Sequence, residues 1–577
     1  MKQLVVIFNF MLFALPMLSR DLPLVELTVR KVINVDSFAG DDTQKIRAAF
    51  SEIKNDTLGI EIAFTKRTYQ IELKNNESLI ALKGKKNIVI NGNDCDFLFK
   101  TLQGRLVTLN NCSNIILKNY TIDYEFLPFS QGEVIEVNSN EGYIKVKKDQ
   151  GYPDFTTELY GKSPLKGNFQ DRIYAILREK DRSGMHKRGS ANNYGMNYVE
   201  KEKEDIFKVG FKQTKAVQAG DMLVVVAHKM VSGAMHLIND GSQITLLNIE
   251  QYAGGVAVNG AADCLNLVGY KVIKKPGTNR LQTICRDAFM LGHNKVGPWL
   301  EDCVVESNGD DGVNMHTKGF GIGDIDQKQR NRIIFTERSY GNGVKTPIAD
   351  IGDSLVIYDM IDGIELQRVK IKSATKVDNK TYQCVLNENI SPKITFDKSD
   401  YKTRYAVFNL TYSANRFVIK NCRFQHIRRH ALFLLQASNG IVENCQFIQT
   451  TACVLYTGIE HAKSIGYGIH NLQFRNNYLY DCYVGSESRS GYGWIVSLSN
   501  DNKYRKSSST HVRNMLFENN NFERVNSSVF QLSNTEQCII RNNRFKLIDG
   551  AGSVLQSQLI QDKQANHSLH IQQNTVE

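Results

Sequence analysis

The sequence has no block of like charge. Its 71 Lys and Arg against 60 Asp and Glu leave a formal net charge of +11, and the basic residues are scattered. A nucleic-acid groove needs clustered Lys and Arg with stacking aromatics, which are not found, so the surplus reads as a basic, solvated surface. Metal-ligand spacing is missing as well. Eleven cysteines occur without a CxxC pair or a Cys/His set, so no metal or other cofactor is expected.

Long apolar runs are absent with one exception. MKQLVVIFNFMLFALPMLSRD carries Lys2 and then an apolar run from Leu4 to Leu18. That run is short for a membrane span and suits a secretory signal, so 1–19 is read as a signal peptide with Ser19 at the cleavage point. No cysteine near this boundary offers lipid attachment. No other segment approaches the ~20 apolar residues a bilayer requires. An exported protein, periplasmic or secreted and without a membrane span, is expected.

What is present is a repeat. An apolar-polar-Asn-variable-polar-apolar hexapeptide recurs as LKNYTI (117–122), IKNCRF (419–424), VENCQF (442–447), FRNNYL (474–479), FENNNF (517–522) and IRNNRF (540–545), with IQQNTV (571–576) a degenerate last copy. From the copy at 419 onward two intervals are 23 residues, and the others are 32, 43 and 31. Short period-2 strands separated by Asn and Gly turns at this spacing predict a solenoid of β coils sharing one long core. Strands of neighbouring coils lie ~4.8 Å apart, so equivalent residues stack into ladders, and the repeated Asn reads as one at a turn. Cysteines following a polar residue (Cys112, Cys303, Cys422, Cys445 and Cys482) read as small buried side chains in a repeated slot.

The N-terminal GDDTQKIRAAFSEIK places Ile46, Ala49, Phe50 and Ile53 on one helix face, with Asp41 and Asp42 offering the N-cap. Such a helix caps the open end of a solenoid core. This run resembles the opening of pectin-lyase-like right-handed parallel β-helix proteins. The expected fold is therefore all-β, a right-handed parallel β-helix with two inserted small antiparallel β-barrels. Its expected parts are 20–130, N-terminal β-helix with the capping helix; 131–228, first barrel; 229–347, central β-helix; 348–408, second barrel; and 409–577, C-terminal β-helix. A GDxLV element occurs in both inserts, and the polar, Gly-rich stretch 179–197 of the first is expected to be a long loop near the active face.

Two successive coils read CRDAFMLGH (285–293) and GDDGVNMHT (309–317). Asp287 then lies over Asp311, 24 residues on, and Asp287, Asp310 and Asp311 should cluster on one outer face. Gly309 and Gly312 are expected to let both adjacent side chains project outward. By itself Asp-Asp-Gly is a common turn that can also bind calcium; the registered Asp287 favours catalysis. Crowded carboxyls suit glycoside hydrolysis, because mutual repulsion keeps one protonated as the acid while a carboxylate activates water.

CRDAFMLGH, NGDDGVNMHTKG, the inserted barrels and RRHALFLLQASNGIVENC (428–445) resemble glycoside hydrolase family 110 over essentially the whole chain after the signal. The resemblance implies a bacterial exo-α-1,3-galactosidase, inverting and metal-independent, removing terminal galactose from glycans such as blood group B structures. It further implies Asp310 as general acid and Asp287 with Asp311 as the general base pair. The Gly-His-Gly and Arg-Ile-Lys signatures of polygalacturonases are missing from the expected places.

Candidate sugar contacts are Asn314, His316, Lys318 and His293, then Arg429 and His430 beside Arg428, then Glu460 with Tyr456 and His461. Trp299 is a candidate platform or a packing residue. Two other readings stand beside the galactosidase: a β-helix lyase or pectinase-type glycosidase, and a non-catalytic glycan-binding β-helix. The expected partner is an oligosaccharide or glycoconjugate glycan, not nucleic acid, and projecting barrels could mediate a homodimer.

Overall fold

The computed structural model describes residues 27–53, 59–74, 77–155, 174–190, 195–211, 214, 216–227, 231, 233–337, 349–378, 380–396, 404–460, 465–485, 494–498, 510–525, 529–549, 556–564 and 567–577. The expected signal segment and His461 lie outside them. Among the described residues no helix is long and apolar enough to cross a membrane.

The expected capping helix is Asp42–Ser51. Asp41 is its N-cap: its side chain accepts from the Gln44 backbone N–H while the Gln44 side chain accepts from the Asp41 N–H, a reciprocal capping box. Ile46 and Ala49 are fully buried against the first coils. Arg67 ties the cap down, pairing with both Asp36 and Asp42 at 2.7 Å while lying over the Tyr69 ring.

Among the described residues thirty strands, the first of them (Val29–Asn34) preceding the helix, join into one sheet by parallel pairing, coil upon coil. The register is continuous along the solenoid. Glu301 pairs with Lys420, Lys420 with Glu443, Glu443 with Arg475, and so on through Glu518, Arg541 and Gln572. Inward-facing residues of all coils form a single apolar core from Ile33 to Ile560. No coil could bury its apolar side alone; stacking removes that surface from water at roughly 25 cal/mol per Å².

The hexapeptide repeat is a turn with two separate jobs. Its conserved third position, Asn119, Asn421, Asn444, Asn476, Asn519, Asn542 and the final Gln573, sits at positive φ between 52° and 59°. Asn tolerates this left-handed conformation better than other side-chain-bearing residues. The interlocking ladder belongs to the next position. There Cys303, Cys422 and Cys445 are succeeded by Asn477, Asn520, Asn543 and Asn574. Each Asn Oδ1 accepts the backbone N–H of the preceding coil, at 2.9–3.0 Å for Cys445, Asn477, Asn520 and Asn543. Each Asn amide also donates to a buried carbonyl, as Asn520 does to Phe474 at 2.9 Å.

The cysteine reading needs one correction. Only Cys303, Cys422 and Cys445 share this slot; Cys112 and Cys482 sit at other turns. What the five have in common is local: each follows a positive-φ residue (Asn111, Asp302, Asn421, Asn444 and Asp481). Each thiol then reaches the carbonyl two residues back at 3.2–3.5 Å.

Both inserts are antiparallel, and each has its own apolar core. The first joins six strands between Phe129 and Val226, with Met196–Lys201 and Tyr174–Arg178 outermost. The expected barrel is thus described as a six-stranded sheet. The second closes into a six-stranded barrel, but it runs from Phe320 to Asn409 rather than starting at 348. Phe320–Ile325 and Arg332–Glu337 belong to it because Phe320, Ile322, Ile333 and Phe335 point into its core, not into the solenoid. The shared GDxLV element is one turn used twice. Gly220 and Gly352 have φ of 92° and 87°. The following Asp221 and Asp353 are buried and accept the N–H three residues back, from Gln218 and Asp350, at 2.8 and 2.9 Å.

The Asn ladder generates a stability prediction. Asn520→Ala strands the buried Asn477 N–H and should cost about 2 kcal/mol or more in urea unfolding. Asn520→Cys, which fills the slot as three other coils do, should cost clearly less. Equal unfolding midpoints for both variants and wild type would remove the ladder's role.

Candidate active site

Phe289 pairs with Val313, and Val313 with Leu432, in three stacked coils. Counting back two residues brings Asp287, Asp311 and His430 to one height, and Asp310 beside Arg429. The intervening barrel separates the second and third coils by 119 residues in sequence without disturbing their pairing. The stacking is close. Ala288 donates to the Asp311 carbonyl at 3.0 Å, and Gly312 to the His430 carbonyl at 2.8 Å.

The two glycines serve this approach, not a left-handed turn. A Cβ on Gly309 would lie 2.3 Å from the Cys285 carbonyl oxygen, and one on Gly312 would lie 2.6 Å from that of Ala431. Asn308 holds the turn from within, its amide nitrogen lying within 3.3 Å of the carbonyls of Arg286, Asp310 and Asp311. The pair therefore sits on a rigid corner with backbone on both sides.

Its carboxylates occupy different environments. Asp287 and Asp311 are buried, whereas Asp310 is only partly buried and the most open of the three. Asn314 bridges the deeper two, its amide nitrogen 3.1 Å from Asp287 Oδ1 and 3.3 Å from Asp311 Oδ2. His316 Nδ1 lies 2.5 Å from Asn314 Oδ1; donating there, it fixes the amide so that its N–H groups face the acids. The His430 backbone N–H donates to Asp311 Oδ1 at 3.1 Å. On the open side Arg429 Nη1 is 3.2 Å from Asp310 Oδ1, and Arg428 Nη1 is 4.0 Å from the same oxygen while donating to the Gly309 carbonyl at 2.7 Å.

Burial and mutual repulsion set the titration. Asp287 is pushed up to about 6, first by desolvation and then by the charge of Asp310, with the Asn314 hydrogen bond opposing. Asp311 is raised well above the ordinary range by desolvation and by both neighbouring carboxylates, against the pull of Arg429. The deep pair thus retains a proton at pH values where an exposed Asp is ionised. The His430 ring is kept neutral by burial. It stacks with Phe433 and Tyr456 at centroid distances of 5.3 Å, forming an apolar wall beside the cluster.

The expected contacts divide accordingly. Arg429 and His430 reach the cluster. Asn314 and His316 also reach it, the Asn314 amide spanning Asp287 and Asp311 and His316 Nδ1 lying against Asn314 Oδ1. Lys318 is turned away to Glu337, 3.6 Å distant in the second barrel. His293, at φ 59°, packs towards the Tyr412 ring, with centroids 6.5 Å apart. Glu460 lies further on, its backbone pairing with Ile465, as that of Lys318 does. Trp299 is no platform: it is buried, donates to Glu301 at 2.8 Å and lies under Lys420 on another side of the coil. The strands that carry Asp287's and Asp311's neighbours are three residues long, so alternation along them extends over few positions. Phe433 and Asn308 went unnoticed. Phe433 pairs with Asn314 only across the inserted barrel, while Asn308, three residues before Asp311, carried a visible signal as a turn-forming amide.

Comparison with known proteins agrees with this architecture. The family model for a right-handed beta helix region matches residues 405–577. The chain is 22% identical over 469 residues to alpha-1,3-galactosidase A of Shewanella woodyi, covering 80% of this chain and 73% of that one. It is 19% identical over 425 residues to alpha-1,3-galactosidase B of Bacteroides thetaiotaomicron, covering 70% of this chain and 65% of that one. Solved structures of related shape include the Agl-KA catalytic domain, at 9% identity and TM-score 0.39, covering 96% of this chain and 69% of that one. Another is the catalytic domain of a GH87 alpha-1,3-glucanase in complex with nigerose, at 8% identity and TM-score 0.35, covering 96% and 67%. The chain is a right-handed parallel β-helix protein. Its curated relatives agree with the glycoside hydrolase family 110 resemblance carried by its motifs.

The raised acids carry a stability cost with a defined sign. Unfolded Asp titrates near 3.8 and folded Asp287 near 6, so the folded state binds more protons between these values. Stability therefore falls as pH rises through that window, and the full penalty applies above it. Asp287→Asn should raise stability at pH 7.5 by about 1–3 kcal/mol and leave it nearly unchanged at pH 3.5. A difference independent of pH between 3.5 and 7.5 would contradict the cause given.

Proposed function

We propose that this chain is an exported, exo-acting, inverting α-1,3-galactosidase that hydrolyses terminal α-1,3-linked galactose from glycans, blood group B or linear structures among them. The observation that carries the reading is the cluster of three carboxylates on one corner of two stacked coils, two of them buried and the third partly buried. Names of the curated relatives support the bond type, and the apolar N-terminal run supports export.

In the reaction, one carboxyl donates its proton to the leaving glycosidic oxygen as the bond to the anomeric carbon lengthens. A carboxylate on the opposite face removes a proton from water as it attacks that carbon, inverting its configuration. Asp310, the most open of the three, is the acid in the allocation implied by the family resemblance. Asp287 and Asp311, with Asn314 between them, then hold and activate the water.

The arginines favour a second allocation of the same parts. A guanidinium 3.2 Å from Asp310 stabilises its carboxylate form, while burial keeps a proton on the deep pair. Asp310 would then be the base and the deep pair the acid. The two allocations differ in their dependence on leaving group. Each of Asp310→Asn, Asp287→Asn and Asp311→Asn should lower kcat on an α-1,3-galactosyl trisaccharide by at least about a thousandfold. The variant lacking the acid should regain most of its rate on an α-galactoside with a nitrophenol leaving group, and the variants lacking the base should not. The anomer first released, read by NMR, should be β. Wild-type rates from Asp310→Asn on the trisaccharide, or initial release of the α-anomer, would end the reading.

A further inference from the structure

The first insert reaches back onto the solenoid through residues 183–190, which run as a strap across successive coils. Lys274, Ser307, His426, Gln449 and Asp481 are equivalent positions, each two residues beyond the paired series Val272, Val305, Phe424, Phe447 and Leu479. Lys274 Nζ donates to the Ser183 carbonyl at 3.3 Å, and the His186 N–H donates to Gln449 Oε1 at 2.6 Å. Arg188 pairs with Asp481, and the Gly189 N–H donates to the Val484 carbonyl at 2.8 Å. Gly184 passes so close that a Cβ would lie 3.2 Å from His426 Nδ1, with φ at +91°.

At the centre is Arg178, wholly buried on the insert's outermost strand. Among the described residues no carboxylate pairs with it. Its Nη1 donates to the Gly184 carbonyl at 2.7 Å and lies 3.4 Å from the His426 carbonyl, and its Nη2 is 3.3 Å from Gln282 Oε1. His186 Nε2 lies 3.0 Å from Nη1 and 2.9 Å from the same His426 carbonyl. A buried guanidinium without a directly paired carboxylate is costly, and a well-packed apolar residue would serve stability better. What this one secures is the chain segment that begins at His426. Two residues on, Arg428 binds the Gly309 carbonyl, Arg429 binds Asp310, and the His430 N–H binds Asp311.

We propose that Arg178 is a positioning residue of the active site: by clamping the strap and the His426 carbonyl together, it holds segment 426–430, and with it Arg428 and Arg429, against the aspartate turn. The inference rests on the reading of the cluster as catalytic. Arg178 does not touch the acids, so its loss should move their support without removing any group of the cluster itself.

The test compares Arg178→Met and Arg178→Lys with wild type, by kinetics and by hydrogen exchange with mass spectrometry. Arg178→Met should lower kcat by about 10- to 100-fold with KM within about threefold, since displacements near 1 Å suffice for such losses. Exchange in the peptide holding 426–430 should rise by about tenfold or more, while peptides of the 510–549 coils stay at wild-type rates. Arg178→Lys, which keeps one donor and the charge, should recover part of kcat. Wild-type kcat and exchange in folded Arg178→Met would overturn the proposal, as would exchange rising uniformly along the solenoid. If Arg178→Met does not fold, His186→Ala carries the same measurements with the same expected pattern. If wild-type enzyme releases galactose from no α-1,3-galactoside, the proposed function fails, while local exchange still decides the clamp.

Discussion

Parallel stacking of one coil on the next is the constraint from which everything else in this molecule follows. It places the hydrogen-bonding groups of Phe289, Val313 and Leu432 in line, and the side chains two residues before them become neighbours. A carboxylate at 287, a pair at 310–311 and two arginines at 428–429 meet without any loop having to fold over them. The second barrel can occupy the gap between two of these coils because it leaves and re-enters the solenoid at fixed points. Its length costs little, as the entropy of closing a loop grows only slowly with size.

Stacking also makes the site expensive. Asp287, Asp310 and Asp311 are gathered by backbone pairing, so they cannot separate to relieve repulsion, and two of them are nearly dry. The structure compensates with oriented donors: the Asn314 amide, the His430 N–H and the guanidiniums of Arg428 and Arg429. Compensation is partial, and Asp287 and Asp311 remain above their ordinary titration range. The proposed hydrolysis would use this tension, because proton donation and water activation both need carboxyls whose proton affinities have been driven apart.

Elsewhere the same geometry is used for cohesion. The Cys303–Cys422–Cys445 slot continues as Asn477, Asn520, Asn543 and Asn574, so thiols fill the coils near the site and amide bridges lock those towards the C-terminal end. The inserted sheet adds a second kind of cohesion, across the coils, where Arg178 and the strap grip equivalent turns from Lys274 to Asp481.

The sequence by itself determined the coil, its capping helix and the three acids, because these are written in local signals. The helix face runs Ile46, Ala49, Phe50 and Ile53; the hexapeptide returns with its left-handed Asn; Asp287 lies one coil before Asp311. It also showed that two antiparallel inserts interrupt the solenoid, though not that the second begins at Phe320, since Phe320–Ile325 reads like any solenoid strand until its barrel partners are known. Tertiary structure alone decided which neighbours serve the acids. Asn314 turns to the carboxylates and His316 to Asn314, while Lys318, two residues on, turns to Glu337 of the barrel, a choice made by a partner 19 residues away. Likewise Phe433 and Arg429 reach the site only across 119 residues of intervening chain, and Arg178 joins its surroundings from a different sheet. Periodicity encodes which face a residue occupies on its own coil; it cannot encode what an inserted domain, packed from outside, sets against that face.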